Sequence, residues 1–210
     1  MDETSKLASI ASKYHADIDT EVGRAVVRLA GAGIAVQCRK GCSWCCRLPV
    51  RATVPEGVLV AGYLLEKLHG GDMAALKGRI SSWLTVIRRD EETRDAWGFR
   101  RKGLEMATFP PVPPCPFLTD DLCLVYPVRP MGCRVHCTAS SPKRCRAVVC
   151  PETIAEPELV PEVLQAVKPV CMSYRKSLEE AGLPFDKVLD HLAALVLDRL
   201  EITARSEGMR

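Results

Sequence analysis

The sequence predicts a mainly α fold in which helices pack around an irregular region that is rich in proline and cysteine. Apolar residues recur at three- and four-residue steps in several long segments, as they do along the buried face of a helix. Eight prolines between positions 110 and 142 exclude a long regular helix there. No segment shows the two-residue period of a strand, and no internal repeat is present. We therefore expect one domain over residues 1–210, with a core motif region at 38–137 and helical flanks at 4–31 and 184–206.

The first helix is predicted over residues 4–31. Thr4 or Ser5 can cap its start, and Gly31 and Gly33 can end it. Its apolar residues lie at helical spacing: Leu7, Ile10, Ala11, Tyr14, Ile18, Val22, Val26 and Leu29. This stripe indicates that one face of the helix packs against the rest of the domain.

A second helix is predicted to begin after Thr53, because Thr53-Val54-Pro55-Glu56 is a capping-box pattern. It should run to about Leu68, and Gly70-Gly71 predicts a break. A third helix should start near Asp72, with one apolar face formed by Met73, Leu76, Ile80, Trp83, Leu84 and Ile87. Its continuation at 88–101 is densely charged, which predicts a solvated extension or, as the alternative, a surface that binds a protein partner.

The C-terminal third is predicted to be helical again. Residues 161–167 and 171–181 suit two short helices, and Gly182 and Pro184 would end the second. The last predicted helix, at 184–206, has the clearest apolar stripe: Phe185, Val188, Leu189, Leu192, Leu195, Val196 and Leu200. The apolar faces of the terminal helices fit one core or a dimer equally well, so the oligomeric state stays open.

Composition and charge argue against several classes of protein. The net charge is only +3 and no long Lys/Arg block occurs, so nucleic-acid binding is not indicated. The polar N-terminus lacks the apolar core of a signal peptide, and no apolar run approaches the roughly 20 residues that span a membrane. No Ser/His/Asp or paired-carboxylate arrangement supports a hydrolase. We therefore expect a cytoplasmic protein that binds neither membranes nor nucleic acid.

Eleven cysteines are the most unusual feature of the sequence. Cytosolic thiols stay reduced, and an odd number cannot pair completely, so a disulfide framework is not expected. The isolated Cys171 fits the role of a small buried hydrophobe. The others cluster at short spacings that return the chain to one metal ion, and the candidate metal ligands are Cys38, Cys42, Cys45, Cys46, Cys115, Cys123, Cys133, Cys137, Cys145 and Cys150.

Cysteine ligands restrict the expected metal to ions that bind sulfur well. Thiolates prefer zinc, copper(I) or iron–sulfur clusters over magnesium or calcium. Zinc favours four ligands in a closed tetrahedron, and iron–sulfur clusters accept mixed short and long spacings, so zinc and iron, including an iron–sulfur cluster, both stay open.

The adjacent residues Cys45 and Cys46 indicate how many metal centres to expect. Neighbouring side chains point in different directions in a strand and in a helix, so this pair predicts two centres or one multinuclear centre. His136 lies between Cys133 and Cys137 and is an alternative ligand. The remaining histidines are expected on the surface or in helix packing: His15, His69 and His191.

The ordered cysteine motifs resemble those of a known family. After Cys38-x3-Cys42-x2-Cys45-Cys46 come Cys115-Pro116-Phe117-Leu118, Cys123-Leu124-Val125-Tyr126 and Arg129-Pro130-x2-Cys133-Arg134. This set is similar to that of the CxxCxxCC, or YkgJ-like, cysteine-cluster proteins, which are described as zinc- or iron-chelating. Flagellin lysine N-methylases carry a related motif. The likeness covers about residues 38–137, although many relatives have two residues, not three, between the first two cysteines.

The resemblance implies a metal-binding domain. It makes seven cysteines the leading ligands, with Cys137, Cys145 or Cys150 in the last position: Cys38, Cys42, Cys45, Cys46, Cys115, Cys123 and Cys133. It also implies that Arg129 and Arg134 offset the charge of the thiolates and tune the metal.

Three rival functions compete with a simple metal site. Cys38-x3-Cys42-x-Trp44-Cys45 has the spacing of the radical SAM motif, in which three thiolates hold a [4Fe–4S] cluster, but that family has a partial barrel of alternating strands and helices. An iron–sulfur redox or methyl-transfer enzyme outside that fold is a further alternative, so whether the protein is an enzyme stays open. A soft-metal store or chaperone would also suit eleven thiols, although cysteines in a proline-rich segment favour fixed sites.

Overall fold

Helices account for most of the structure, a computed structural model that describes residues 2–39, 41–92, 113–139, 145 and 160–208. In these residues the α-helices are α1 (Glu3–Gly31), α2 (Val54–Lys67), α3 (Gly70–Glu92), α4 (Met131–Val135), α5 (Pro161–Glu180) and α6 (Leu192–Gly208). The strands pair as two antiparallel ribbons, β1 (Arg51–Thr53) with β4 (Leu189–His191) and β2 (Leu118–Thr119) with β3 (Leu122–Cys123). The predicted mainly α class is therefore confirmed.

Helix α1 has nearly the predicted bounds. It begins at Glu3, where the side chain of Asp2 accepts a hydrogen bond from the Ser5 backbone N–H at 2.7 Å, so Asp2 is the cap and not Thr4 or Ser5. Gly33 has a φ of +79° just after its end, a conformation that favours glycine. The buried residues follow the predicted stripe closely: Ala11, Tyr14, His15, Ile18, Ala25 and Leu29.

Helices α2 and α3 also follow the prediction. The capping box is present, and the Thr53 backbone N–H donates to the Glu56 carboxylate at 2.8 Å. Helix α3 begins at Gly70, two residues before the predicted start near Asp72, and the left-handed φ of Gly70, +51°, marks the turn between α2 and α3. It continues to Glu92, and the rest of the charged extension, 93–101, lies outside the described residues.

Helix α5 is one continuous helix, so the prediction of two short helices at 161–167 and 171–181 is wrong. Pro169 lies inside it and removes one backbone hydrogen bond, at a typical cost of about 3 kcal/mol. The helix persists because one face is buried along its length: Val163, Val167, Tyr174 and Leu178. Burial of such side chains contributes about 1.5–3 kcal/mol each, which outweighs the proline.

The predicted helix at 184–206 is wrong in its first third. Phe185–Lys187 form a 3-10 turn, and Leu189–His191 form strand β4, which pairs with β1. Only from Leu192 does the chain become α-helical. A strand of three residues is too short to show a two-residue period, which is why the sequence does not reveal it.

The core of the described residues has three buried clusters, one of which contains Tyr14, Tyr174, Leu178 and Val188. Helices α2, α3 and α6 bury the largest one, and Cys115 and Cys123 pack against it. Helix α1 packs on α2 and on α5, and Cys137 belongs to a smaller cluster with residues of α1 and α5. The cysteine-bearing segments therefore contact both of these clusters. None of the described helices is long and apolar enough to cross a membrane.

Candidate metal centre

Eight of the predicted ligands line one cavity. Its volume is about 520 Å³, and its thiols come from four separate places in the chain: Cys38, Cys42, Cys45, Cys46, Cys115, Cys123, Cys133 and Cys137. Cys145 is described but is not among the lining residues, and Cys150 lies outside the described residues. Cys171 is half-buried on α5, away from the cavity lining. The ten described cysteines form no disulfide.

A backbone hydrogen bond joins the cysteine segment at 38–46 to the segment that begins at Cys115. Trp44–Arg47 form a 3-10 helix, which carries both Cys45 and Cys46. The Cys115 backbone N–H donates to the Cys46 carbonyl at 2.6 Å, and this contact brings the second segment against the first. The hydrogen bond between Cys115 and Cys46 therefore brings together cysteines that are far apart in the sequence.

A tight hairpin positions Cys123. Asp120 and Asp121 connect β2 to β3 with φ angles of +50° and +60°, the left-handed pair that a two-residue turn of this class requires. The Asp121 carboxylate also accepts a hydrogen bond from the Ser43 hydroxyl at 2.5 Å. The hairpin is thereby attached to the first cysteine segment.

The cysteine segment at 133–137 contacts the segment at 38–46 near Cys38. The Thr138 backbone N–H donates to Cys38 Sγ at 3.3 Å, and the Gln37 N–H donates to the Thr138 carbonyl at 2.9 Å. A hydrogen bond with the Cys137 thiol lowers the pKa of Cys38 to about 6, and the same bond, with burial, raises the pKa of Cys137. Cys38 is thus the thiol most readily ionised in this part of the cavity.

Cys45 and Cys46 contact each other as well as the cavity. A hydrogen bond from the Cys46 thiol lowers the pKa of Cys45 to about 7, and the pKa of Cys46 is correspondingly raised. Both side chains line the same cavity. Whether they serve two centres or one multinuclear centre stays a prediction.

The remaining central thiols are held in their neutral form. Burial raises the pKa of Cys115 to about 12 and also raises the pKa of Cys133 and of Cys123. The positive charge of Arg129 opposes this effect at Cys123 and Cys133, but burial is the larger effect. A metal ion that bound these thiols would displace their protons.

The two predicted arginines differ in their surroundings. The Arg129 guanidinium lies 4.0 Å from the centre of the Tyr126 ring and lines the cavity. Arg134 is buried and donates to the carbonyls of Arg129 and Pro127 at 2.7 Å each, and it pairs with the Asp19 carboxylate on α1. Both arginines line the cavity. The charge of Arg129 acts on Cys123 and Cys133, whereas Arg134 is bound through its guanidinium and attaches α4 to α1.

The four histidines have different surroundings. His136 lines the cavity, and burial lowers its pKa, so its neutral ring is available as a ligand. His69 is exposed. His15 and His191 are buried, so of the two predicted alternatives they take the packing one: His15 contacts the Glu56 carboxylate of α2, and His191, in strand β4, lies edge-on to the Trp83 ring of α3.

The described thiols are gathered, but they are not arranged around a common point. Within the described ranges, no group of three or more His, Cys, Asp or Glu side chains has a geometry that could hold a metal ion. The donor set itself is soft and rich in sulfur, which suits zinc or iron. Side-chain rotation and loss of protons would have to accompany binding.

Comparisons with protein families, with curated proteins and with solved structures find no match to this chain. The resemblance to the YkgJ-like cysteine-cluster proteins therefore stays a prediction that depends on the cysteine motifs alone. The radical SAM alternative loses support, because the strands in the described residues are two or three residues long and antiparallel, unlike a parallel barrel.

Proposed function

We propose that this protein binds zinc or iron, the latter as single ions or as an iron–sulfur cluster, through the cysteine thiolates of the cavity. One observation carries the proposal: eight cysteines from segments up to 99 positions apart (137 − 38) line a single cavity. Free cysteines are common in apolar cores, but as single small hydrophobes that pack among aliphatic side chains. A shared lining of eight thiols beside the cation of Arg129 fits ligation better.

The proposal also implies a compartment. Eight unpaired thiols in one cavity would oxidise to disulfides in a secretory or extracellular environment. A reducing compartment, with the cytosol as the expected one, keeps them available as thiolates.

Metal analysis of anaerobically purified protein tests the proposal. We expect zinc or iron in a fixed integer ratio to the chain, and a brown colour with visible absorption if the metal is an iron–sulfur cluster. A ratio that varies with the metal supplied to the cells would instead favour the storage alternative. Protein that neither carries these metals nor takes up zinc or iron after reduction would overturn the proposal.

Two cysteine variants give the matched comparison. Cys115→Ser removes a thiol that lines the cavity, whereas Cys171→Ser removes a half-buried thiol elsewhere. We expect the first variant to lose metal and the second to keep the full ratio. Equal metal content in both variants would contradict the assignment of the site.

A further inference from the structure

Glu56 is the most completely bonded buried carboxylate among the described residues. Its side chain is 3% exposed. One oxygen, Oε2, accepts from the Thr53 backbone N–H at 2.8 Å and from the Thr53 hydroxyl at 3.0 Å. The other, Oε1, accepts from the Met131 backbone N–H at 2.7 Å and lies 3.1 Å from His15 Nε2.

The capping box explains only half of this arrangement. Capping the start of α2 uses Oε2 alone, through the bonds with Thr53. Oε1 points away from α2 and contacts two other helices, α1 at His15 and α4 at Met131. A surface cap needs no such burial, so the second oxygen has a separate role.

That role concerns the start of α4. The first N–H groups of a helix have no partner inside the helix, and Glu56 supplies one to Met131. The helix has only five residues and carries Cys133, which lines the thiol cavity. Its other anchor is Arg134, through Asp19 and two backbone carbonyls. So short a helix depends on such contacts for its position.

The protonation state of Glu56 fits this role. Burial alone would raise its pKa, but the bonds from His15, Met131 and Thr53 outweigh burial and lower it. The carboxylate is therefore ionised at neutral pH, and hydrogen bonds to a charged acceptor are stronger than neutral ones.

We propose that Glu56 is a positioning residue of the thiol site: its buried carboxylate joins α1, α2 and α4 and thereby sets the place of Cys133. As a statement about metal, this inference rests on the proposed function, in which Cys133 is a ligand. As a statement about the position of α4, it is independent of metal and is tested without it.

The test compares two variants of the same hydrogen-bonded group. Glu56→Asp keeps the charge and a capping residue at this position but shortens the side chain by about 1.5 Å, which withdraws it from Met131. Thr53→Val is the matched control, because it removes the hydroxyl bonds to Glu56 and to Tyr174 and leaves the contact with Met131. Both variants weaken the hydrogen bonds around Glu56, but only Glu56→Asp removes the contact that holds the start of α4.

The readout is the rate at which iodoacetamide labels each cysteine in metal-free, reduced protein, followed by peptide mass spectrometry. Cys171 on α5 is the internal reference. In Glu56→Asp we expect the ratio of Cys133 to Cys171 labelling to rise about tenfold, which corresponds to about 1.4 kcal/mol. Thr53→Val should leave the ratio unchanged. A ratio unchanged in Glu56→Asp, or raised equally in Thr53→Val, would overturn the proposal.

Two further measurements separate the possible failures. In the unaltered protein, the Met131 amide should exchange its hydrogen as slowly as the amides of α2, and exchange at the rate of an exposed loop would contradict the proposal even if no variant folds. In zinc titrations, Glu56→Asp should bind about tenfold more weakly than Thr53→Val. If the unaltered protein binds no zinc or iron, the proposed function fails, while the labelling and exchange results still decide the position of α4.

Discussion

Replacement of Gly57 by alanine should destabilise the protein, because α2 and α6 approach closely at this glycine. A Cβ atom on Gly57 would lie 2.6 Å from the Cβ of Leu195, whereas carbon atoms in contact are normally about 3.5–4.0 Å apart. The Leu195 Cβ is fixed to its backbone, so the helices would have to separate by about 1 Å. Overpacking of this kind costs about 1–3 kcal/mol. Because no flexible side chain can move aside, we expect about 3 kcal/mol, reduced to about 2 kcal/mol by the higher helix propensity of alanine.

The matched control is Gly62→Ala on the same helix. Gly62 is exposed, and a Cβ there would meet no atom within 4 Å. This variant gains helix propensity without a clash, so its free energy of unfolding should rise by about 0.5–1 kcal/mol. Urea unfolding followed by circular dichroism measures both variants, and similar slopes would show that the denatured states are comparable. If Gly57→Ala is as stable as Gly62→Ala, the helices can separate freely and the reasoning is wrong.

Two further predictions concern the thiols and the buried carboxylate. Cys45→Ser and Cys46→Ser should each remove a different part of the bound metal if the adjacent cysteines serve two centres, and identical losses in metal analysis would contradict two centres. The lowered pKa of Glu56 means that its contribution to stability is fully present above its unfolded value, near 4.5, and is lost as the pH falls through the lower folded value. The urea midpoint should therefore fall more steeply between about pH 6 and about pH 3 for the unaltered protein than for Glu56→Gln. If the two midpoints fall in parallel, the Glu56 carboxylate does not contribute in this way.

Local signals in the sequence predicted the helices well where one face is buried. The stripe in α1 and the capping box before α2 both involve residues within a few positions of each other, and such patterns are visible in sequence. The predicted break between 167 and 171 is absent from α5, because the contacts of Tyr174 and Leu178 with other parts of the chain outweigh the local effect of Pro169. Strands β1 and β4 were missed because they are three residues long and pair across most of the chain.

The candidate site was predictable in its members but not in its arrangement. The sequence predicted ten cysteine ligands, of which eight line the cavity, whereas Cys145 does not line it and Cys150 lies outside the described residues. Cysteine spacing could not reveal that Cys46 docks on Cys115, since that contact depends on the path of the chain through α2 and α3, which lie between them. The sequence also did not reveal the contact between Glu56 and Met131. A capping box predicts only a contact with a residue three positions away, which here is Thr53.

The contact between Cys38 and the segment at Cys137 has a consequence for the unfolded chain. If one metal ion holds both Cys38 and Cys137, it closes a loop of 99 residues (137 − 38). By the chain-entropy relation for cross-links, closing a loop of about 100 residues disfavours the unfolded state by about 4.7 kcal/mol. A soft metal would then act as a reversible cross-link, present in a reducing environment where a disulfide could not persist. Loss of the ion would open the loop, and the unfolded state would regain the whole of this conformational entropy.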